Sequence, residues 1–292
     1  MAFHRFESIE AQYLVPDLST SRGPVIEGDY IWFCLVTKPA GTGSELHYHP
    51  NELLIFPTAG KLNAVVGKDR RIVGPGTFVH APAFARHSMR AAEDADLEYL
   101  YIKDKTWTVV GLAVDERVPE KALSIAEINA LHAKGGAALG KRGDEATRHR
   151  EKGESQIIID GIDDCYHCMI DGFDAPVPSS TRETWNHGQR MAFGFIDAPP
   201  EAGAGLGPVT PAAHEIFAIV LRGRALVQLG DERRTLAAGD VVHARRGERF
   251  AIAPDAGGAR YAMVRSTPWL ERKMDQMSED EREQSRLHNR AN

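Results

Sequence analysis

The sequence predicts an all-β chain in which one small sandwich or barrel is used twice, and three observations carry that reading. Short apolar stretches rich in β-branched and aromatic residues, Tyr30 to Val36, Leu53 to Phe56, Leu62 to Val66 and Leu97 to Ile102, are each stopped by Gly, Pro or Asp. The segment from Gly67 to Ala81 returns as Gly230 to Ala244, and the same 163-residue offset relates Glu52 to Glu215, Gly60 to Gly223, Gly76 to Gly239 and His80 to His243. The chain has 292 residues, more than one minimal core requires.

In chain order, the first copy is expected over residues 1–118. A capping box, Ser124-Ile125-Ala126-Glu127, closed by Gly135-Gly136, predicts a helix in the connection, and Lys134 to Glu154 turns to Gly, Ala and mixed charge as a linker does. The connector is therefore placed at 119–154 and the second copy at 155–267. Ile31 to Pro39 resembles Met191 to Pro199 at an offset of 160, so the second copy carries a three-residue insertion around Gly203 to Gly207. After Pro268 the residues are mostly charged, with Leu270, Met274 and Met277 at helical spacing, which predicts a solvated helical tail over 268–292.

Composition narrows the classes of partner. Lys plus Arg number 35 against 41 Asp plus Glu, a net charge of −6 that draws the chain neither to phosphate backbones nor to anionic lipid. No stretch approaches the length of a membrane span, and the start lacks the layout of a signal peptide. Cys34, Cys165 and Cys168 make no paired framework, so a reducing cytoplasm is expected. Exposed strand edges would be covered in a homodimer or larger homo-oligomer.

The chemistry-bearing residues gather in the first copy. Gly41 is followed by five residues and then His47-Tyr48-His49-Pro50-Asn51-Glu52, with Gly60 beyond. Alternate strand residues face the same side, so His47 and His49 can reach one ion. Gly76, Pro82 and His87 place a third imidazole just past a turn, and three such rings suit a divalent metal. Arg86 and Arg90 flank His87, either as partners for a substrate carboxylate or as surface residues. Trp32, Phe33, Phe56, Tyr99 and Tyr101 read as barrel filling, with Tyr99 and Tyr101 also candidate pocket residues. The equivalents of the three histidines in the second copy are Thr210, Ala212 and Phe250, so its site is degenerate. His214, Glu215 and His243 are read as structural there, and Cys165-Tyr166-His167-Cys168 as a buried strand in preference to half a zinc site.

These spacings resemble the two motifs of the cupin family, and with the repeat the chain is similar to a bicupin over residues 25 to 105 and 185 to 267. The resemblance implies two jelly-roll barrels and one divalent metal per chain on His47, His49 and His87: iron(II) first, with manganese, nickel or zinc as alternatives. It departs from the family at Leu53, where a glutamate ligand often stands. Glu52 lies one residue early, and a one-residue shift turns a side chain to the other face unless a bulge restores it. Glu52 is thus either a fourth ligand or a structural residue shared with Glu215. Three neutral imidazoles leave the ion its full charge, which favours a chelating anion. The resemblance implies a non-haem dioxygenase of the gentisate, salicylate or diketone-cleaving kind, acting on a small anionic aromatic or dicarbonyl compound. The alternatives are a redox-neutral lyase, isomerase or decarboxylase, with Tyr99, Tyr101 or Glu52 moving a proton, and a non-enzymatic ligand-binding barrel.

Overall fold

The structure is a computed structural model and describes residues 2–14, 19–107, 112–113, 165–200 and 205–278. Its strands are β1 (Phe3–Arg5), β2 (Gln12–Tyr13), β3 (Arg22–Gly23), β4 (Val25–Glu27), β5 (Ile31–Lys38), β6 (His47–Tyr48), β7 (Leu53–Ala59) and β8 (Leu62–Val66). They continue with β9 (Asp69–Val73), β10 (Thr77–Ala81), β11 (His87–Ala91), β12 (Leu97–Asp104), β13 (Leu112–Ala113) and β14 (Tyr166–Cys168). The remaining strands are β15 (Arg182–His187), β16 (Met191–Ala198), β17 (Thr210–Pro211), β18 (Ile216–Leu229), β19 (Glu232–Ala237), β20 (Asp240–Ala244) and β21 (Arg249–Ser266). A single α-helix among the described residues, α1 (Pro268–Asp275), begins at Pro268 as the tail pattern predicts. The predicted connector helix around Ser124 and the linker up to Glu154 lie outside the described residues. No helix among the described residues is long and apolar enough to cross a membrane.

The all-β expectation holds, and the sheets form cupin-like jelly rolls in two compact units. The N-terminal unit contains Glu10–Val25 and Trp32–Asp171, and the C-terminal unit contains Met1–Ile9, Ile26–Ile31 and Gly172–Arg272. In the N-terminal unit one sheet runs β14-β10-β7-β12-β5-β3-β2 and the other β13-β6-β11-β8-β9. Their buried faces follow the period of two: Trp32, Cys34 and Val36 on β5, Leu53 and Ile55 on β7, Leu62, Ala64 and Val66 on β8, Met89 and Ala91 on β11, and Leu97, Tyr99 and Tyr101 on β12 share one core. In the C-terminal unit the sheet runs β1-β20-β18-β21-β16-β15, over a core of Ile196, Val220, Val227, Leu236, Val242, Tyr261 and neighbouring alanines.

The repeat reaches farther than its obvious matches. Phe3 and His4 stand 163 residues before Tyr166 and His167. In the C-terminal unit β1 pairs antiparallel with β20, Phe3 opposite Val242. In the N-terminal unit β14 pairs antiparallel with β10, Tyr166 opposite Val79, the same register shifted by one repeat. The N–H of His80 donates to the carbonyl of Cys165 at 2.8 Å, and that of His243 to the carbonyl of Ala2 at 2.8 Å. Arg71 lays its guanidinium 4.7 Å from the Tyr166 ring, and its counterpart Arg234 lies 4.5 Å from the Phe3 ring. The opening strand of each copy thus sits in the unit built mainly from the other copy.

The repeated Gly60 and Gly223 mark irregular points of the backbone, Gly60 between β7 and β8 and Gly223 within β18 where its pairing with β21 shifts register. Both have positive φ, 72° and 73°, and a Cβ would lie 2.1 Å from the Asp96 oxygen in the first case and 2.2 Å from the Gly258 oxygen in the second. Only glycine satisfies both conditions.

Candidate metal centre

Three imidazoles meet inside the N-terminal barrel because three local patterns agree. His47 on β6 stands directly opposite His87 on β11 in the antiparallel register. His87 shares the inward parity of Met89 and Ala91, and His49 follows His47 by two residues just past the end of β6. The ring centroids of His47 and His87 are 4.4 Å apart, those of His49 and His87 4.7 Å, and those of His47 and His49 6.0 Å. One nitrogen of each ring lies within 4.8 Å of the other two, and this is the one such group of three metal-ligating side chains among the described residues. All three side chains are buried.

The hydrogen bonds fix which nitrogen is offered. Nδ1 of His47 lies 2.7 Å from the Glu45 carbonyl, Nδ1 of His49 3.0 Å from that of Asn51, and Nδ1 of His87 2.8 Å from that of Ala85. A carbonyl only accepts, so each Nδ1 carries the proton and each Nε2 keeps its lone pair. The Nε2 atoms of His49 and His87 are buried with no hydrogen-bond partner. A buried acceptor left unpaired is costly, and a cation among the three rings removes that cost. Burial lowers the pKa of each ring; His87 falls to about 4, and the nearby charges of Lys103 and Lys38 act in the same direction. The rings are therefore neutral at pH 7, as ligation requires, and the donor set fits a divalent transition metal.

Glu52 is placed elsewhere. It has the opposite parity to Leu53 and Ile55, which face the core, and its Oε1 lies 2.8 Å from His80 Nε2. Its own N–H donates to Asp104 Oδ2 at 2.5 Å. Arg86 lays its guanidinium 5.5 Å from the ring of Tyr48, the residue between His47 and His49. Arg90 donates from Nη2 to the Gly41 carbonyl at 2.5 Å. Tyr99 and Tyr101 belong to the barrel core, and the Tyr99 hydroxyl pairs with Ser21 Oγ at 3.3 Å. Burial raises the pKa of both phenols, so both stay protonated.

Sequence reasoning missed three buried lysines, Lys38, Lys103 and Lys105. Lys103 continues the inward series Leu97, Tyr99, Tyr101 on β12, and Lys38 continues Trp32, Cys34, Val36 on β5. Lys38 is 1% exposed and Lys103 3%, where lysine is ordinarily a surface residue. Lys38 Nζ donates to the Met89 carbonyl at 2.5 Å and lies 5.5 Å from the Tyr99 ring; Lys103 Nζ lies 5.5 Å from the Trp32 ring. Strand parity alone would have found Lys38 and Lys103.

The C-terminal barrel repeats the frame of the site without its donors. Thr210 stands opposite Phe250 as His47 stands opposite His87, and Ala212 and Phe250 are buried in the apolar core. His243 Nε2 lies 2.8 Å from Glu215 Oε1, the same pairing as His80 with Glu52. The Glu215 carboxylate also accepts from the N–H groups of Asp29, at 2.5 Å, and Tyr30, at 2.9 Å. His214 turns instead to Glu271, 3.1 Å away. Of the cysteines in the 165–168 segment, Cys165 is buried, whereas Cys168 is exposed and donates to Asp171 at 3.2 Å.

Residues 34–103 match the family model described as cupin domain. No curated protein matches the sequence. Among solved structures, protein Ylba from E. coli is similar at a TM-score of 0.57 and 11% identity, covering 91% of this chain and 90% of that one. A point mutant of Bacillus subtilis oxalate decarboxylase is similar at a TM-score of 0.58 and 12% identity, covering 91% of this chain and 77% of that one. A further structure of the Bacillus subtilis enzyme, described by its Mn(II) centres, is similar at a TM-score of 0.56 and 11% identity, with the same coverage. At such identities the likeness is one of fold, and it extends over both barrels.

Proposed function

We propose that the N-terminal barrel is a single-metal active site held by His47, His49 and His87, and that the protein is an iron(II)-dependent dioxygenase for a small anionic aromatic or dicarbonyl compound. The observation that carries this reading is the convergence of three Nε2 lone pairs whose Nδ1 protons are all committed to backbone carbonyls. When bound, a divalent ion supplies Lewis acidity and a fixed template for substrate and oxidant. Glu52 is engaged by His80, so no carboxylate from that position dilutes the ion's charge. The three histidine side chains are themselves buried, which keeps bulk water from the site. Chemistry of this kind needs no side-chain nucleophile beside the metal.

A redox-neutral decarboxylase or lyase is the second reading, supported by the fold likeness to oxalate decarboxylase. Metal content of anaerobically purified protein, followed by oxygen uptake with salicylate-like, catecholic and dicarbonyl compounds, separates the two. One iron per chain with substrate-dependent uptake is the expected result. Turnover without oxygen consumption moves the assignment to the second reading, and no turnover of any compound leaves a ligand-binding barrel.

A further inference from the structure

We propose that Phe84 is a specificity-determining residue of the three-histidine centre, its exposed phenyl ring being the contact that selects an aromatic anion over a ringless dicarbonyl compound. The inference rests on the metal-site reading and narrows the ligand class of that site. Its support comes from the backbone conformation of Phe84, the hydrogen bonds of the turn it occupies, and the same turn in the second barrel.

Pro82 to Ala85 form the turn between β10 and β11, closed by the Ala85 N–H donating to the Pro82 carbonyl at 3.0 Å. Two of the three imidazole residues are fastened to this turn. The Phe84 N–H donates to the His49 carbonyl at 2.8 Å, and His87 Nδ1 donates to the Ala85 carbonyl, also at 2.8 Å. Phe84 thus stands one hydrogen bond from the backbone of one ligand residue and one residue before the carbonyl that orients another. Among the described residues every positive φ belongs to a glycine except that of Phe84, at 66°. In that region a Cβ crowds the backbone, so phenylalanine holds the conformation under strain. Burial does not offset the cost, since the side chain is 44% exposed and stands outside the core of the barrel.

The second barrel shows that the fold does not require a phenylalanine here. At the 163-residue offset Phe84 becomes Gly247, whose φ is 84°. The Gly247 N–H donates to the Ala212 carbonyl at 2.7 Å and the Glu248 N–H to the Arg245 carbonyl at 3.0 Å, which are the same two backbone bonds shifted by one repeat. A Cβ at Gly247 would meet nothing within 4 Å, so glycine serves there for its conformation and not for want of space. The barrel without the histidines takes the relaxed residue, and the barrel with them takes a strained, water-exposed aromatic one. Strain kept beside a binding site, where the fold has a relaxed alternative, marks a side chain held for a ligand. A phenyl ring recognises another flat ring by stacking and gains far less from a compound without one.

The test uses the full chain loaded with cobalt(II), whose visible spectrum reports ligand entry. Wild type, Phe84→Gly, Phe84→Ala and Phe84→Tyr are compared for cobalt content, melting temperature and affinity for salicylate and for oxalate. Phe84→Gly removes ring and strain together, Phe84→Ala removes the ring and keeps the strain, and Phe84→Tyr keeps both. Expected are undiminished cobalt in every variant and a melting temperature for Phe84→Gly equal to or above wild type. Salicylate affinity is expected to fall about fivefold in Phe84→Gly and Phe84→Ala, with oxalate affinity within about twofold of wild type and Phe84→Tyr retaining both. Salicylate affinity within about twofold of wild type in Phe84→Gly and Phe84→Ala overturns the proposal, as does an equal loss for oxalate. A loss in Phe84→Gly alone overturns it too, because the effect then belongs to the backbone and not to the ring. A smaller sedimenting species in Phe84→Gly with both affinities unchanged assigns the ring to a contact between copies of this chain instead. If wild type takes up no cobalt, the metal reading fails by itself; calorimetric titration of metal-free protein with salicylate then applies the same criteria, and no binding to wild type overturns the role of Phe84.

Discussion

At the three histidines the protonation pattern makes distinct demands on each neighbour. His49→Ala or His87→Ala removes one of three donors, and metal content measured by mass spectrometry is expected to fall to a small fraction of wild type. Glu52→Gln is expected to leave metal content intact, because its oxygen is spent on His80; a large loss would return Glu52 to the ligand set. Glu215→Ala strips a buried acceptor from His243 and from the N–H groups of Asp29 and Tyr30. That change is expected to cost roughly 2 to 3 kcal/mol in chemical denaturation without altering metal content. The histidine set was legible in the sequence because metal ligands are rare residue types at fixed spacing. The lysines were not, because a lysine ending an apolar strand reads as punctuation until the parity of Tyr99 and Tyr101 is carried on to Lys103.

The strands explain both what the repeat disclosed and what it hid. Long matches such as Gly67 to Ala81 with Gly230 to Ala244 identify β9, β10, β19 and β20, where glycine turns and alternation constrain many consecutive positions. The pair β1 and β14 has only three residues per strand, and its likeness rests on aromatic and histidine side chains too few to stand out. Their placement depends on pairing with strands far away in sequence, which no local pattern encodes. Because Arg71 and Arg234 clasp these strands, Arg71→Ala and Arg234→Ala are each expected to lose about 0.5 to 2 kcal/mol. Deleting residues 2–5 is expected to destabilise the C-terminal unit by exposing the edge of β20, while cobalt uptake by the N-terminal barrel persists. Limited proteolysis of the two units, with metal content measured alongside, checks both outcomes.

For the molecule as a whole, the buried histidines tie stability to pH. Their folded-state pKa values lie below the ordinary value of 6.5, His87 at about 4, so between those values the unfolded chain binds more protons than the folded one. The stabilisation is complete above pH 6.5 and is lost as pH falls toward 4, with His87 alone accounting for about 3 kcal/mol. Metal-free protein is expected to melt at progressively lower temperature over this window. His87→Leu should flatten the dependence, and an unchanged slope would contradict the lowered pKa of His87. The exchange of opening strands also governs how the chain is made. During synthesis β1 emerges long before its partner β20 at Asp240–Ala244, so it stays an open edge until that strand appears. The N-terminal barrel likewise cannot seal its β10 edge before Cys168 appears. A nascent chain that ends before residue 166 therefore leaves β10 without the strand that pairs with it, an open edge of the kind that invites misassembly.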